Sequence, residues 1–447
     1  TINGDTTATG ERVNPNRIYE LKVNDFYIQH SAVNVNNPTG TITIRGQQGG
    51  SKPVILKQPL NEVNIGTNEI NSSLTFKNIQ FHNQETDGVT PWVAFNINGD
   101  DRTLIVEDCL IENCAGMIFN MNNVLEGAKV EIRNSYFRDF HDFGQWWAGR
   151  IVQAKVPIDN FIFENNTVTG AGLTVLGQNC LFEYAVINHN IFINNRKYPF
   201  LNQYWKEVYF TNNLFINANM VGEDHENVAT GGQDPDALLH GIIGVDTIEN
   251  TIAIQSKFLN ADSTLTDEVD DLSDIIFYAA DNVVVYTSTL DSYYNGDLSP
   301  DWDDAPSSYL TWGGVTGPFK VANVPGIWKN SRTETLINEY SNIKEENNSI
   351  YAISAADLGI GTDPLPQDAA DAFTQWNRNQ WGVPGVDAPT SDVWLAYQFG
   401  DYDPTTVPGI ETETAAAGSG GITKISDVIE DFSYSLDLTS VSDGLRI

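Results

Sequence analysis

Five basic side chains, Arg150, Lys155, Arg196, Lys197 and Lys206, sit among Trp146, Trp147, Tyr198, Tyr204 and Trp205 in two stretches, FGQWWAGRIVQAKVP and NNRKYPFLNQYWKE. Removing the C5 proton of a uronate takes such a base beside a neutralised carboxylate, so these five cations are the candidate catalytic residues. The five aromatic residues, set beside charges, are the candidate carbohydrate-binding platforms. The same residue types also serve as amphipathic cover and solvated charge on an ordinary protein surface.

Paired carboxylates offer another route to a broken glycosidic bond. Asp139, Asp142, Glu223 and Asp224, with His141 and His225 beside them, are the partners available, although 59 acidic residues also produce such neighbours by chance. The stretch VGEDHENVATGGQDPDALLHG gathers Glu223, Asp224, Asp234 and Asp236 around a Gly-Gly turn. Hard oxygen donors on a loop suit Ca2+, which makes these four the candidate metal ligands. No EF-hand spacing is present, and a solvated acidic loop has the same composition.

These residues hang on a repeat. Six segments share the form apolar-x-apolar-x-polar-x-x-apolar: LTFKNIQFHN, LIVEDCLIEN, VEIRNSYFRD, FIFENNTVTG, AVINHNIFIN and VYFTNNLFIN. Their polar anchors, Asn78, Asp108, Asn134, Asn165, His189 and Asn212, lie 30, 26, 31, 24 and 23 residues apart, the length of one solenoid turn varied by loops. Alternating apolar residues point to a shared core. The anchor turns a corner in left-handed backbone geometry, with its amide expected to ladder to the equivalent residue above and below. Phe81, Ile111, Phe137, Val168, Phe192 and Phe215 then return to the core. A β-sandwich would show turns every 8–12 residues or so and no single recurring polar register.

The fold class expected is therefore all-β, a right-handed parallel β-helix with an irregular, partly helical C-terminal capping region. Residues 1–73 form the N-terminal cap and first turns, 74–290 the β-helix, 291–411 the capping region, and 412–447 a linker and docked tail. Ile275–Leu290 holds a later turn, with Asn282 as anchor and Val285 returning, and Gly244–Ile254 another. Thr333–Glu346 and Gln367–Trp381 are the candidate helices of the cap. Sequons occur at Asn71, Asn165 and Asn347, a pattern that Asn-rich repeats also generate by chance.

With its leading GTITIRGQQGGSKPVIL segment, the repeat resembles secreted right-handed parallel β-helix proteins of the pectate-lyase-like superfamily. Among these it is most similar to cell-surface members from Bacteroidota and related marine bacteria, many exported by type IX secretion, over roughly residues 12–290. The resemblance implies, where members are enzymes, lyases or hydrolases acting on polysaccharides, often with Ca2+ bridging uronates. No catalytic signature of either class is present, so the expected role is a non-catalytic extracellular structural or adhesive element, self-assembling and cation-stabilised. Polysaccharide lyase or glycoside hydrolase is the alternative.

Charge narrows the partners. Through Asn217 the chain carries 16 Lys and Arg against 21 Asp and Glu; beyond it, 8 against 38. A field this acidic repels nucleic acid and anionic lipid and favours divalent cations. The expected partners are a polysaccharide or further copies of the chain, with no nucleic acid and no membrane insertion. No run approaches the ~20 apolar residues a spanning helix needs, and Thr1 opens no signal-peptide pattern, so the chain reads as a trimmed, soluble export product. Three cysteines are too few for a disulfide framework; Cys109 and Cys114 would close only a tiny loop and are not expected to pair.

Overall fold

The computed structural model describes residues 2–60, 64–85, 89–124, 126–140, 149–155, 157–177, 181–193, 195, 199–201, 205–216, 243, 276–285, 311–312, 315–316 and 341–351. Two parallel sheets hold nearly all the strands, one of 15 strands and one of 10. Within these two sheets, strands consecutive in the chain do not pair. After Thr103–Glu107 come Leu110–Cys114 and Met117–Asn123, and Thr103–Glu107 pairs instead with Ala128–Arg133, one repeat further on. Such an order is compatible with a parallel β-helix.

The larger sheet forks at Asn68–Lys77. The first half of that strand pairs with Val93–Asn98 and its second half with Thr103–Glu107. One arm continues through Met117–Asn123, Arg150–Ala154, Val175–Gly177 and Phe200–Leu201. The other runs through Ala128–Arg133, Ile158–Glu164, Phe182–Asn188, Trp205–Thr211, Ile276–Ala280 and Ile343–Glu346. The smaller sheet starts at Phe26–Gln29 and ends at Ser349–Tyr351. Among the described residues the only antiparallel strand pair is Thr311–Trp312 with Val315–Thr316.

Each repeat follows from its side-chain alternation. In Ala128–Arg133, Val130 and Ile132 are fully buried while Lys129, Glu131 and Arg133 face outward. Asn134 then adopts φ 54°, and Asn78, Asp108, Asn165, His189 and Asn212 share that left-handed conformation. These are residue types that tolerate it at least cost. Their backbones stack in series: the Asn134 N–H donates to Glu164 O at 3.1 Å, that of Asn165 to Asn188 O, and that of His189 to Thr211 O. The anchors therefore line one corner, and all six expected return residues are buried.

The polar ladder stands one residue later than the sequence suggested. Its members are Asn166, Asn190, Asn213, Asn282 and Asn348, entered through Ser135. Each Asn Nδ2 of the first four donates to the Oδ1 of the next and to a main-chain carbonyl of the preceding repeat. The reason is geometric. The left-handed residue projects its side chain outward at the bend, and the residue after it points into the core.

Two further corrections concern the later repeats. Asp281 (φ 55°), not Asn282, is the corner there, and Val284 rather than Val285 aligns with Phe215. Ile343–Glu346, within the candidate helix Thr333–Glu346, is instead a parallel strand on Ile276–Ala280, followed by the corner Asn347 and the strand Ser349–Tyr351. The sequons at Asn165 and Asn347 coincide with two of these corners. Gly244–Ile254, Gln367–Trp381 and the tail 412–447 fall outside the described residues.

Phenylalanines fill the interior in files. Phe192 stacks on Phe215 at 4.6 Å and 3°, and Phe163 on Phe192 at 6.1 Å and 19°. Outside, opposite charges meet across strands: Arg45 with Glu20 at 2.7 Å, Lys77 with Glu107 at 2.5 Å, Arg133 with Glu164 at 3.1 Å. Exposed pairs add little stability, but like charges brought opposite by a slipped register would repel, so the rows favour the observed pairing. Cys109 and Cys114 are both free and buried, with their thiols pushed up to about 12, chiefly by burial.

Candidate functional site

The sequence-derived residues do not converge where they are described. Arg150 opens Arg150–Ala154 with its side chain inside, 1% exposed, its Nε donating to Gly116 O at 3.2 Å and its Nη1 to Gln153 Oε1. Burial lowers its pKa to about 9. Trp205 is fully buried, edge-on to Phe182 at 5.0 Å, and so offers no ring face to a sugar. Lys155 is exposed and Lys206 half-buried on Trp205–Thr211. Arg196, Lys197, Trp146, Trp147, Tyr198 and Tyr204 lie outside the described residues, as do Glu223, Asp224, Asp234 and Asp236. Among the described residues no three His, Cys, Asp or Glu side chains gather as a metal site.

Two constellations stand out instead. On the outer side of the smaller sheet, His82, Glu112 and Arg138 occupy the same offset, four residues past their corners, on three adjacent strands. Glu112 Oε1 accepts from His82 Nδ1 at 2.9 Å and from Gln80 Nε2 at 3.1 Å, while Oε2 accepts from Arg138 Nε at 2.5 Å. Burial alone would raise the Glu112 carboxyl. The hydrogen bond from His82 and the adjacent Arg138 charge outweigh it and hold the group at about 2. A carboxylate on Nδ1 fixes the imidazole's orientation and leaves Nε2 as the nitrogen that a ligand would meet. The register of the repeat carries this signal, since counting four from Asn78, Asp108 and Asn134 reaches all three residues.

The second constellation is aromatic. Tyr184, Tyr209 and Tyr278 lie on three neighbouring strands on the outer side of the larger sheet, Tyr278 directly opposite Tyr209 and Tyr184 diagonal to it, with ring centroids 6.2 and 6.4 Å apart. Tyr184 is 38% exposed, and Ile276 beside the row 42%. The Tyr209 hydroxyl donates to Glu207 Oε1 and that of Tyr278 to Glu346 Oε2, both at 2.9 Å, and these bonds raise both phenol pKa values. The row thus combines apolar ring surface with oriented hydroxyl and carboxylate oxygens.

No family model, no curated protein and no solved structure matches the chain.

Proposed function

We propose that the two parallel sheets close into a right-handed β-helix of the pectate-lyase-like type, acting outside the cell as a non-catalytic adhesive rod that holds a polysaccharide. The observation that carries this reading is the row Tyr184, Tyr209 and Tyr278 with Glu207 and Glu346. The three rings follow one another at 6.2 and 6.4 Å on successive parallel strands, an exposed apolar strip on which sugar faces can stack, and flanking carboxylates favour a neutral glycan over a uronate. The low lysine content and abundant Asn, Thr, Gly and Trp support an extracellular setting.

Further copies of the chain are the second partner in this proposal. Among the described residues the strands Ile18–Leu21 and Phe26–Gln29 each pair on one side only, with Ile18, Phe26 and Ile28 exposed. Edges of this kind template strand addition. The acidic half beyond Asn217 is the part that Ca2+ would neutralise, through Glu223, Asp224, Asp234 and Asp236.

Affinity electrophoresis against a panel of neutral and uronate polysaccharides tests the reading. Retardation by a neutral glycan that Tyr209→Ala with Tyr278→Ala abolishes is the expected result. Binding unchanged by the double substitution removes the tyrosine row from the proposal. Shortened or unsaturated products would put the lyase or hydrolase alternative in its place. A melt in calcium and then in chelator at equal ionic strength separates coordination from screening, and an unchanged melting temperature and particle size would remove the cation.

A further inference from the structure

At the end of the stack where Ile18–Leu21 and Phe26–Gln29 stand, the two sheets enclose a hollow of about 470 Å³. Its floor is Ile42, Ile70, Leu74, Phe76, Phe81 and Phe95, none more than 4% exposed. Later repeats fill the interior with stacked phenylalanines instead. The outer wall, which includes Ile2 and Asn3, is pinned by hydrogen bonds. Arg12 Nη1 donates to Ile2 O at 2.7 Å, Asn3 Nδ2 to Ala32 O at 2.8 Å, and the Asn34 N–H to Asn3 Oδ1 at 2.9 Å. The hollow is thus preformed, with the size and the mainly apolar lining of a small-molecule site.

Charge selects what can enter. Among the described residues that line the hollow none is Asp, Glu, Lys or Arg, so an ionic group placed there would lose its water and gain no counter-charge. The occupant is therefore neutral and largely apolar. At the ~30 Å³ that one water occupies in the liquid, the volume corresponds to roughly 15 non-hydrogen atoms.

The rim decides the polar end. His30 and Ser31 are exposed there, with Gln29 half-buried beside them. Gln29 Nε2 donates to Ser31 O at 3.0 Å and to Asn68 Oδ1 at 2.7 Å, which leaves Oε1 as the atom to accept from a ligand. His30 Nδ1 lies 2.8 Å from Gln58 O. A carbonyl only accepts, so Nδ1 carries the proton and Nε2 of the neutral ring is a second acceptor. Two acceptors and the Ser31 hydroxyl suit a head group that donates, as an alcohol O–H does.

We propose that this end cavity binds an uncharged single-chain alcohol, its hydrocarbon body between the sheets and its hydroxyl against Gln29, His30 and Ser31. Burial of the chain supplies the affinity, and the rim fixes the orientation. The site is separate from the tyrosine row, which lies on the outer side of the larger sheet.

Equilibrium dialysis of the full chain against radiolabelled 1-decanol tests this, with decanoate at pH 8, where its carboxylate is charged, as the comparison. Saturable binding of one decanol per chain is expected, at least about tenfold tighter than that of decanoate. Ile42→Phe, which adds a ring to the floor, should abolish it, and His30→Ala with Ser31→Ala should weaken it roughly tenfold. Should Ile42→Phe fail to fold, the rim variant and the decanoate comparison still decide the matter. No saturable binding of decanol would overturn the proposal, as would equal affinity for decanoate or binding that neither variant changes. Binding lost as the chain concentration rises would overturn it in favour of a second copy covering the mouth.

Discussion

Asn190 donates through Nδ2 to Asn213 Oδ1 at 2.9 Å and to Phe163 O at 2.8 Å, while its own Oδ1 accepts from the Asn166 main-chain N–H at 2.9 Å. Every polar atom of this fully buried side chain has a partner, and each partner belongs to a neighbouring repeat. The pair therefore couples successive repeats in the dry interior, where main-chain groups have no water to fall back on.

Asn190→Ala should be among the most damaging single substitutions. It strands the Asn166 N–H and takes the side-chain donor from the Phe163 carbonyl, at about 1–3 kcal/mol for each group left unsatisfied, while Asn213 Oδ1 keeps the Asn190 main-chain N–H. Urea unfolding should show a loss of several kcal/mol, with part recovered in Asn190→Ser, the residue type that occupies this place as Ser135. A loss below about 1 kcal/mol would mean that the ladder fills space and little more.

The Glu112 clamp gives a pH signature. Its folded pKa, about 2, lies below the ordinary carboxylate value, so the stabilisation is fully present above that ordinary value and is lost as the pH falls towards 2. The window is thus roughly pH 5 to 2, and the amount is a few kcal/mol. Comparing wild type with Glu112→Gln isolates it: the gap in unfolding free energy should narrow across that window as the pH falls. A gap independent of pH would show that the carboxylate charge contributes nothing.

Gly149 has φ 79°, and a Cβ there would stand 2.0 Å from Phe140 O and 2.7 Å from Gly172 N. Gly10 has φ 86° with nothing within 4 Å. Alanine at Gly10 should cost only the left-handed backbone penalty, about 1–2 kcal/mol. At Gly149 the backbone must also move, so thermal unfolding should report a markedly larger loss there, or no folded protein. Equal effects at the two positions would place the Phe140–Gly149 contact in error.

Cys109 and Cys114 should resist a thiol reagent in the native protein even at alkaline pH, because both thiols sit at about 12 and both are buried. Labelling followed by peptide mapping should modify them only under denaturant. A disulfide joining them, found without reductant, would contradict the free pair.

Much of the fold was legible because it is written locally. The strand alternation and the choice of Asn, Asp or His at each bend are properties of single residues and their immediate neighbours, and all six expected corners take the left-handed conformation. The repeat of Ile343–Glu346 and Ser349–Tyr351 is illegible for a local reason too. In IKEENNSIY the outward positions Lys344, Glu345 and Glu346 are charged and one apolar residue, Ile343, precedes the bend, so it reads as an amphipathic helix end.

What tertiary structure alone decided is which of two adjacent polar residues faces inward. In FENN, TNN and INHN either residue can turn a corner or hydrogen-bond, and the choice is fixed only when the preceding repeat supplies a carbonyl for the buried one and the next an amide oxygen. The same holds for chemistry. Arg150 and Trp205 have the composition of a surface site, but strand register turns them into the core, and Ile44, Ile70 and Phe95 line one cavity only because strands far apart in the chain lie side by side. Sequence fixes each residue's conformational preference and polarity; pairing between distant repeats, driven by burial of the shared interior, determines which side chains meet.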